Sequence, residues 1–447
     1  MRGTRTLAVC AVSIFLVGLD TTIVNVALPS IGRDLGLAVA DLEWTVDAYT
    51  LVLAGLLISS GALADRVGRR RVFRLGLVIF GAGSLACALA PSLGVLVAGR
   101  VVQGVGGSML SPVALAIVVS VITDPRERAR AIGVWAAVFG LSMAAGPVLG
   151  GALAGGLGWR TVFWVNLPVI AIVLALTVKY VPESRAPRPR RLDLPGQALL
   201  IVLVGTTVAV LIEGPRLGWG SPLLLLGYAL LVAAAVGFAR VERRRAEPLI
   251  DLALFRRAPF TAAVGSAVAV FVALNVTLLL GTFHLQQARG FSPLQAGLVT
   301  LPMALAATVC APLSGHLVGL AGPRLPLRVA GVSTAIGGLL LAGFDGGAGL
   351  LAGYLFAGIG VGFANAPITN TAVSGLPPER AGVAGGITST ARQLGAALGI
   401  ALAGGIVAGG GPDGAGWALV AVCGVVVLAA AQASPVSARR PTAVPVR

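Results

Sequence analysis

The sequence predicts an all-α integral membrane protein of fourteen transmembrane helices, and three observations predict it. The 447 residues are 57% hydrophobic and only 11% charged, with a mean hydropathy of +0.94. A soluble domain carries about 25% charged residues. Apolar runs of about 20 residues, long enough to cross a bilayer, recur along the whole chain. The basic residues fall in short clusters between those runs and alternate from one side to the other, as the positive-inside rule requires.

Spans are expected near 7–28, 45–64, 75–91, 94–118, 131–155, 161–181, 194–213, 221–240, 259–284, 293–318, 328–344, 349–372, 382–408 and 415–433. The least distinct are 75–91 and 94–118, which nearly touch, and 328–344. The first run opens like a signal peptide, MRGTRTLAVC, but stays apolar through Asp20 to Pro29 without a small-residue cleavage site. It reads as an uncleaved first span. With these boundaries, 27 basic residues lie on one side, against Arg33, Arg160, Arg216 and Arg289 on the other. That asymmetry predicts an even number of crossings and cytoplasmic N- and C-termini.

The net charge of +16 does not point to nucleic acid, because no basic cluster has interleaved aromatics or a polar domain around it. Of 33 basic residues only Lys179 is lysine. Cys10, Cys87, Cys310 and Cys423 are scattered in apolar runs, without metal or redox spacing. His284 and His316 stand alone at span edges. The chain has no nucleotide loop and no nucleophile elbow, so neither an enzyme nor an ATP-driven pump is expected, and no metal or cofactor. A membrane-embedded transferase would need clustered His, Asp or Glu at a membrane edge. A sensor would need a polar signalling domain.

A faint internal repeat organises the spans. GALADRVGRR (61–70) closes the second span and GHLVGLAGPR (315–324) closes the tenth. Gly61, Leu63, Gly68 and Arg70 match Gly315, Leu317, Gly322 and Arg324. Both stretches close the second helix of a six-helix block if two spans are inserted between the blocks. The expected domains are a six-helix bundle at 1–181, two inserted helices with cytoplasmic loops at 182–258, a second six-helix bundle at 259–433 and a cytoplasmic tail at 434–447. Internal repeats of this kind recur in secondary transporters.

Polar residues inside apolar spans carry the chemistry. A charge at a helix centre costs about 2.5–3.5 kcal/mol on insertion scales. Asp20 lies about halfway along the first span and Arg100 lies in the fourth. The arginine cannot neutralise itself, so it needs a polar partner or a watered cavity. Asp20 could be a titrating proton site or a permanent ion pair with an arginine, and the sequence leaves both open. The loop GALADRVGRRRVFR (61–74) sets Asp65 among arginines, with Gly61 and Gly68 permitting unusual backbone, and reads as a conformational latch. In the fifth span Gly133, Ala137, Gly140, Ala144, Pro147 and Gly151 form a stripe of small residues that admits close helix approach. Pro147 can also kink it. Arg392 and Gln393 in the thirteenth span, and Asn275, Asn365 and Asn370, are further intramembrane polar groups. Acids within the spans are few, which argues against an obligatory polycationic substrate.

Together these stretches resemble the major facilitator superfamily, and within it the fourteen-span drug:proton antiporter branch (EmrB/QacA-like). Gly61, Asp65, Arg66, Gly68, Arg69 and Arg70 stand where the family's loop between helices two and three has its motif. RVVQG carries the helix-four motif in Arg100, Gln103 and Gly104. GPVLGG, with Gly146, Pro147, Gly150 and Gly151, looks like the antiporter motif of helix five, and Gly133 fits it too. Ser142 departs from it, standing where glycine is usual. LDTTIVNVALP (19–29) looks like the first-helix motif of that branch. The sharp motifs lie within 19–151, and in the second half Asp65 is answered by Gly319.

The resemblance implies two six-helix bundles plus two inserted helices, and an exporter in the bacterial cytoplasmic membrane. It would exchange a small, amphipathic compound for protons by alternating access, as a monomer among membrane lipids, without nucleic acid. It assigns proton coupling to Arg100, while the buried carboxylate itself makes Asp20 the leading coupling candidate, with Arg100 a possible partner or tuner. Candidate cavity residues are Asn25, Tyr49, Trp135, Phe139, Asn365, Arg392 and Gln393. An exporter of an endogenous metabolite, or a proton-coupled importer, are the alternatives. The helix-five stretch favours export.

Overall fold

The structure is a computed structural model that describes residues 2–122, 124–186, 193–245, 247–344, 346–376, 378–409 and 413–434, apart from some side chains in three of the helices. Those residues form sixteen α-helices: α1 Arg2–Leu35, α2 Val39–Val67, α3 Arg69–Ala88, α4 Leu93–Val121, α5 Pro125–Gly156, α6 Thr161–Trp164, α7 Asn166–Tyr180, α8 Leu194–Leu217, α9 Pro222–Arg244, α10 Ala258–Phe283, α11 Pro293–Val299, α12 Leu301–Ala321, α13 Arg324–Gly343, α14 Gly347–Val373, α15 Pro378–Ala408 and α16 Asp413–Ala430. A π-helical turn, His284–Ala288, extends α10. No strand occurs among the described residues.

The local sequence sets many helix ends. Asp193, Ser221 and Ser292 each accept a backbone N–H from the first turn of α8, α9 and α11, and a proline follows each at the start of the helix. Gly68, Gly218 and Gly322 end α2, α8 and α12 with positive φ. The matched Gly68 and Gly322 take φ of 124° and 80° at the ends of equivalent helices, and Gly61 and Gly315 both face open space.

Thirteen helices among the described residues are long and apolar enough to cross a membrane. The indistinct expectations resolve cleanly, with α3 and α4 separated by residues 89–92 and α13 standing alone. The expected fourteenth, α5, is a helix of 32 residues that is not among the thirteen.

Helices α1 to α7 pack on one another, and α10 to α16 do the same. Glycines bring helix backbones into close approach within each set: Gly76, Gly83, Gly99 and Gly106 between α3 and α4, and Gly331, Gly338 and Gly424 between α13 and α16. The inserted α8 packs against α2 and α15, and α9 packs against α8. Leu223, Leu225, Leu226, Leu230 and Val232 of α9 are exposed, as a lipid-facing helix requires. The two sets meet through α2 on α15 and through α5 on α11 and α12.

Candidate functional site

Asp20, Ser84, Arg100, Gln103 and Asn166 are wholly buried and come together from α1, α3, α4 and α7. The Arg100 Nη1 donates to Asp20 Oδ2 at 2.6 Å and to Gln103 Oε1 at 2.8 Å. Its Nε donates to the Thr45 carbonyl at 2.9 Å, which reaches α2. Gln103 Nε2 donates to Asp20 Oδ1 at 3.1 Å and to Ser84 Oγ at 2.8 Å. Asn166 Nδ2 adds a third donor to the carboxylate, 3.0 Å from Oδ1. The Tyr49 ring covers the guanidinium, its centroid 4.3 Å from Cζ, and the Phe163 ring lies at 5.9 Å.

Two unit charges taken out of water persist only when paired and hydrogen-bonded. Here the carboxylate receives three donors and the guanidinium serves three acceptors, so the pair ties α1, α2 and α4 into one body. The sequence offers Arg100 as a possible partner or tuner of Asp20, and this conformation pairs the two. Of the two readings left open for Asp20, this conformation contains the ion pair. Asn166 and Ser84 were not foreseen. A single amide or hydroxyl in a span usually makes a local hydrogen bond, so neither carries a signal in the sequence.

The stretch 61–74, expected as a loop, is the end of α2 and the start of α3 joined at Gly68, and it forms a clamp inside the first set of helices. Arg69 donates to Asp65 Oδ1 through Nε at 3.0 Å and Nη2 at 2.9 Å, and to the Ala116 carbonyl of α4 at 3.4 Å. The segment after α7 closes over it: Arg69 N–H donates to the Ser184 carbonyl at 2.9 Å, Ala186 N–H to the Asp65 carbonyl at 3.2 Å, and Arg70 N–H to Glu183 Oε1 at 3.0 Å. Arg66 is exposed. Gly68 sits at φ 124° and ψ 129°, and a Cβ there would lie 2.8 Å from Glu183 Oε1. Gly68→Ala is therefore expected to cost about 1–3 kcal/mol and to lower the apparent Tm of the detergent-solubilised protein. An unchanged Tm would contradict the clamp.

The antiporter-like stretch of α5 is held between the two halves. A Cβ on Gly146 would strike the Thr22 side chain, and one on Gly150 would lie 2.5 Å from the Ile23 carbonyl. Both contacts are on α1, next to Asp20. On the adjacent face, about 100° around the helix, Gly151 abuts the Pro293 carbonyl of α11, and Gly297 of α11 abuts the Pro147 carbonyl. Further along, Gly140 faces Thr308 of α12 at 3.6 Å. The side chain of Phe139 and the surroundings of Gly133 lie outside the described residues.

The other cavity candidates are spread over α1, α2, α5, α14 and α15. Tyr49 is wholly buried in the charge centre, and Gly104 packs on its carbonyl. Asn25 is buried with no partner for Oδ1 among the described residues. Trp135, Asn365, Arg392 and Gln393 are half-buried on α5, α14 and α15, and Arg392 Nη2 donates to Ser389 Oγ at 2.8 Å. His284 meets Asp413 at 2.5 Å and accepts from Arg289 Nε at 3.0 Å.

One expectation needs correction. The second span starts at Val39 rather than 45, which brings Glu43 inside it together with Asp47. Both are buried, so the acids within the spans are more numerous than the sequence reading allowed.

A family model described as Major Facilitator Superfamily matches residues 10–400. The multidrug resistance protein Stp of Mycobacterium tuberculosis (strain ATCC 25618 / H37Rv) is 42% identical over 409 residues, 90% of this chain and 75% of that protein. The tetracenomycin C resistance and export protein of Streptomyces glaucescens is 38% identical over 410 residues, 90% of this chain and 76% of that protein. Among solved structures, a crystal structure of the nucleoside transporter NupG superposes with a TM-score of 0.65 at 13% identity, covering 96% of this chain and 99% of that one, a likeness of fold.

Proposed function

Because the chain belongs to the Major Facilitator Superfamily, we propose that it is a bacterial cytoplasmic-membrane exporter of amphipathic drugs or antibiotics, exchanging them for protons by alternating access. The observation that carries this reading is the wedge of α5. Its glycines press on α1 beside Asp20 with one face and on α11 of the second bundle with the adjacent face. A shift of α1 against α4 is thereby coupled to the seam between bundles. Efflux relatives at 42% and 38% identity support the substrate class. We further place the chain in the fourteen-span branch, with α5 as the fourteenth crossing, both termini cytoplasmic, and a monomer working without cofactor as the active unit.

In this mechanism Asp20 is the coupling carboxylate and Arg100 its partner. Protonating Asp20 would remove the charge that holds the guanidinium. One proton crossing contributes about 2.3 kcal/mol per 100 mV, enough to offset part of that loss. The test is transport of a compound panel, tetracenomycin C included, by an otherwise pump-deficient host, with and without an uncoupler. Uncoupler-sensitive export is the expected result. Export insensitive to the uncoupler removes the proton, and inward accumulation reverses the direction. A profile confined to host metabolites replaces the drug with an endogenous substrate. Asp20→Asn is expected to insert normally and to lose proton-linked efflux. Full antiport by that variant would sink the role of Asp20.

A further inference from the structure

Glu43 and Asp47 stand one turn apart on α2, 1% and 0% exposed, and none of their four carboxylate oxygens has a hydrogen-bond partner among the described residues. They lie where α2 meets the second bundle. A Cβ on Gly404 of α15 would land on the Glu43 carboxyl, so α15 offers it bare backbone. At the same junction of α2, α8 and α15, Ala40, Val208, Ile212, Ala397 and Ala401 form a buried apolar cluster. This differs from the Asp20 centre, which is paired and contained within one bundle.

The charged groups facing the pair from neighbouring helices do not supply a cation. On α4, Arg100 is spent on Asp20 of α1, Gln103 and the Thr45 carbonyl. On α8, Arg216 lies 3.5 Å from Glu213 and 3.8 Å from Asp41 of α2, and its side chain is 58% exposed. On α15, Arg392 is twelve residues before Gly404, about 18 Å along the helix axis. Glu213 itself faces the pair and adds negative charge. It accepts from Trp44 Nε1 at 3.1 Å, and its side chain is 23% exposed.

We propose that Glu43 and Asp47 form a two-carboxylate proton site that closes the seam between α2 and α15, with Glu213 of the inserted helix as its access group from the arginine-poor side. Two ionised carboxylates one turn apart repel each other and require water. Ionised, they hold α15 off α2. Neutral, they let Gly404 seat on Glu43. Proton binding and seam closure are then one linked equilibrium. The inserted helices thereby gain a task, because α8 brings a partly exposed carboxylate to the mouth of the site. The proposal rests on the reading of the chain as a proton-driven exporter for its use in transport, but not for the linkage itself.

The linkage is testable without any drug. Spin labels on Ala38 and Ala408, both exposed near this end of α2 and α15, report the seam by pulsed dipolar spectroscopy, in lipid nanodiscs and with the four native cysteines replaced by alanine. From about pH 5 to about pH 9 the closed fraction is expected to fall about fivefold or more. Glu43→Gln with Asp47→Asn should stay closed across that range. Gly404→Ala, approaching from the other helix, should lower the closed fraction at every pH. Glu213→Gln should slow the response to a pH jump and, by removing a neighbouring negative charge, move its midpoint to lower pH. A pH-independent distance in the parent protein, or the same pH response in the double variant, overturns the proposal. Should the drug panel reveal no export while the labels respond to pH as described, the exporter reading falls and the proton site stands. Should the panel show proton-driven export and the double variant keep all of it, the site's use in transport is overturned and the label distances alone decide the linkage.

Discussion

Arg100→Ala is expected to destabilise the first bundle by about 3–5 kcal/mol, because it leaves a buried carboxylate without its cation. The side chain removed has no solvent exposure and donates to Asp20, Gln103 and the Thr45 carbonyl, which lie on three elements once Asp20 on α1 is counted with α2 and α4. Arg100→Lys should not restore the protein. An ammonium is a compact charge and cannot reach three acceptors arranged around a planar fork. It also loses the stacked contact with the Tyr49 ring at 4.3 Å. Thermal unfolding in detergent and drug accumulation in cells check both variants. A parental Tm in the alanine variant would mean that the ion pair contributes nothing to holding α1 against α4.

Gly151→Val is expected to abolish efflux while leaving a folded, inserted protein. A Cβ at 151 collides with the Pro293 carbonyl and lies 2.8 Å from the Leu294 Cα, both backbone atoms that cannot swing away. Overpacking of this kind costs about 1–3 kcal/mol. That cost falls only on the arrangement in which α5 touches α11, so the population of that arrangement should drop roughly 5- to 150-fold. Gly155→Val is the contrast. One turn further on, a Cβ meets Pro293 atoms only at 3.9 Å, an ordinary contact. It should export nearly normally. Disulfide trapping between cysteines placed on α5 and α11 measures the seam directly. Equal trapping and equal export in both variants would remove the steric argument.

Much of the fold was legible because lipid restricts the solutions. Long apolar runs must be helices, and alternating arginines order them. The indistinct pair 75–91 and 94–118 separated correctly on that logic, as α3 and α4. Asp20 and Arg100 were legible for the same reason, as charges where none is cheap. What joins them was not. The Thr45 carbonyl is backbone, and every residue has one. Asn166 reaches Asp20 only because α6 and α7 meet at a break in the sixth span. The Glu43–Asp47 pair was missed through a boundary. With the second span begun at 45, Glu43 fell outside it and Asp47 stood at its third residue, and neither was singled out; α2 starts six residues earlier and buries both. Glu183 was missed because it lies in a connecting segment, and only the structure folds that segment back onto Gly68.

The Asp20 centre also sets an order on synthesis. Its groups leave the ribosome as Asp20, then the Thr45 carbonyl, Ser84, Arg100 with Gln103, and last Asn166. Until the fourth helix is made, the first holds a carboxylate with no cation to meet it. Until α7 is made, one donor to that carboxylate is still missing. The first helix must therefore wait, close to the insertion machinery or to water, for a partner 80 residues downstream. The first bundle matures as a unit at the end of its sixth span rather than helix by helix.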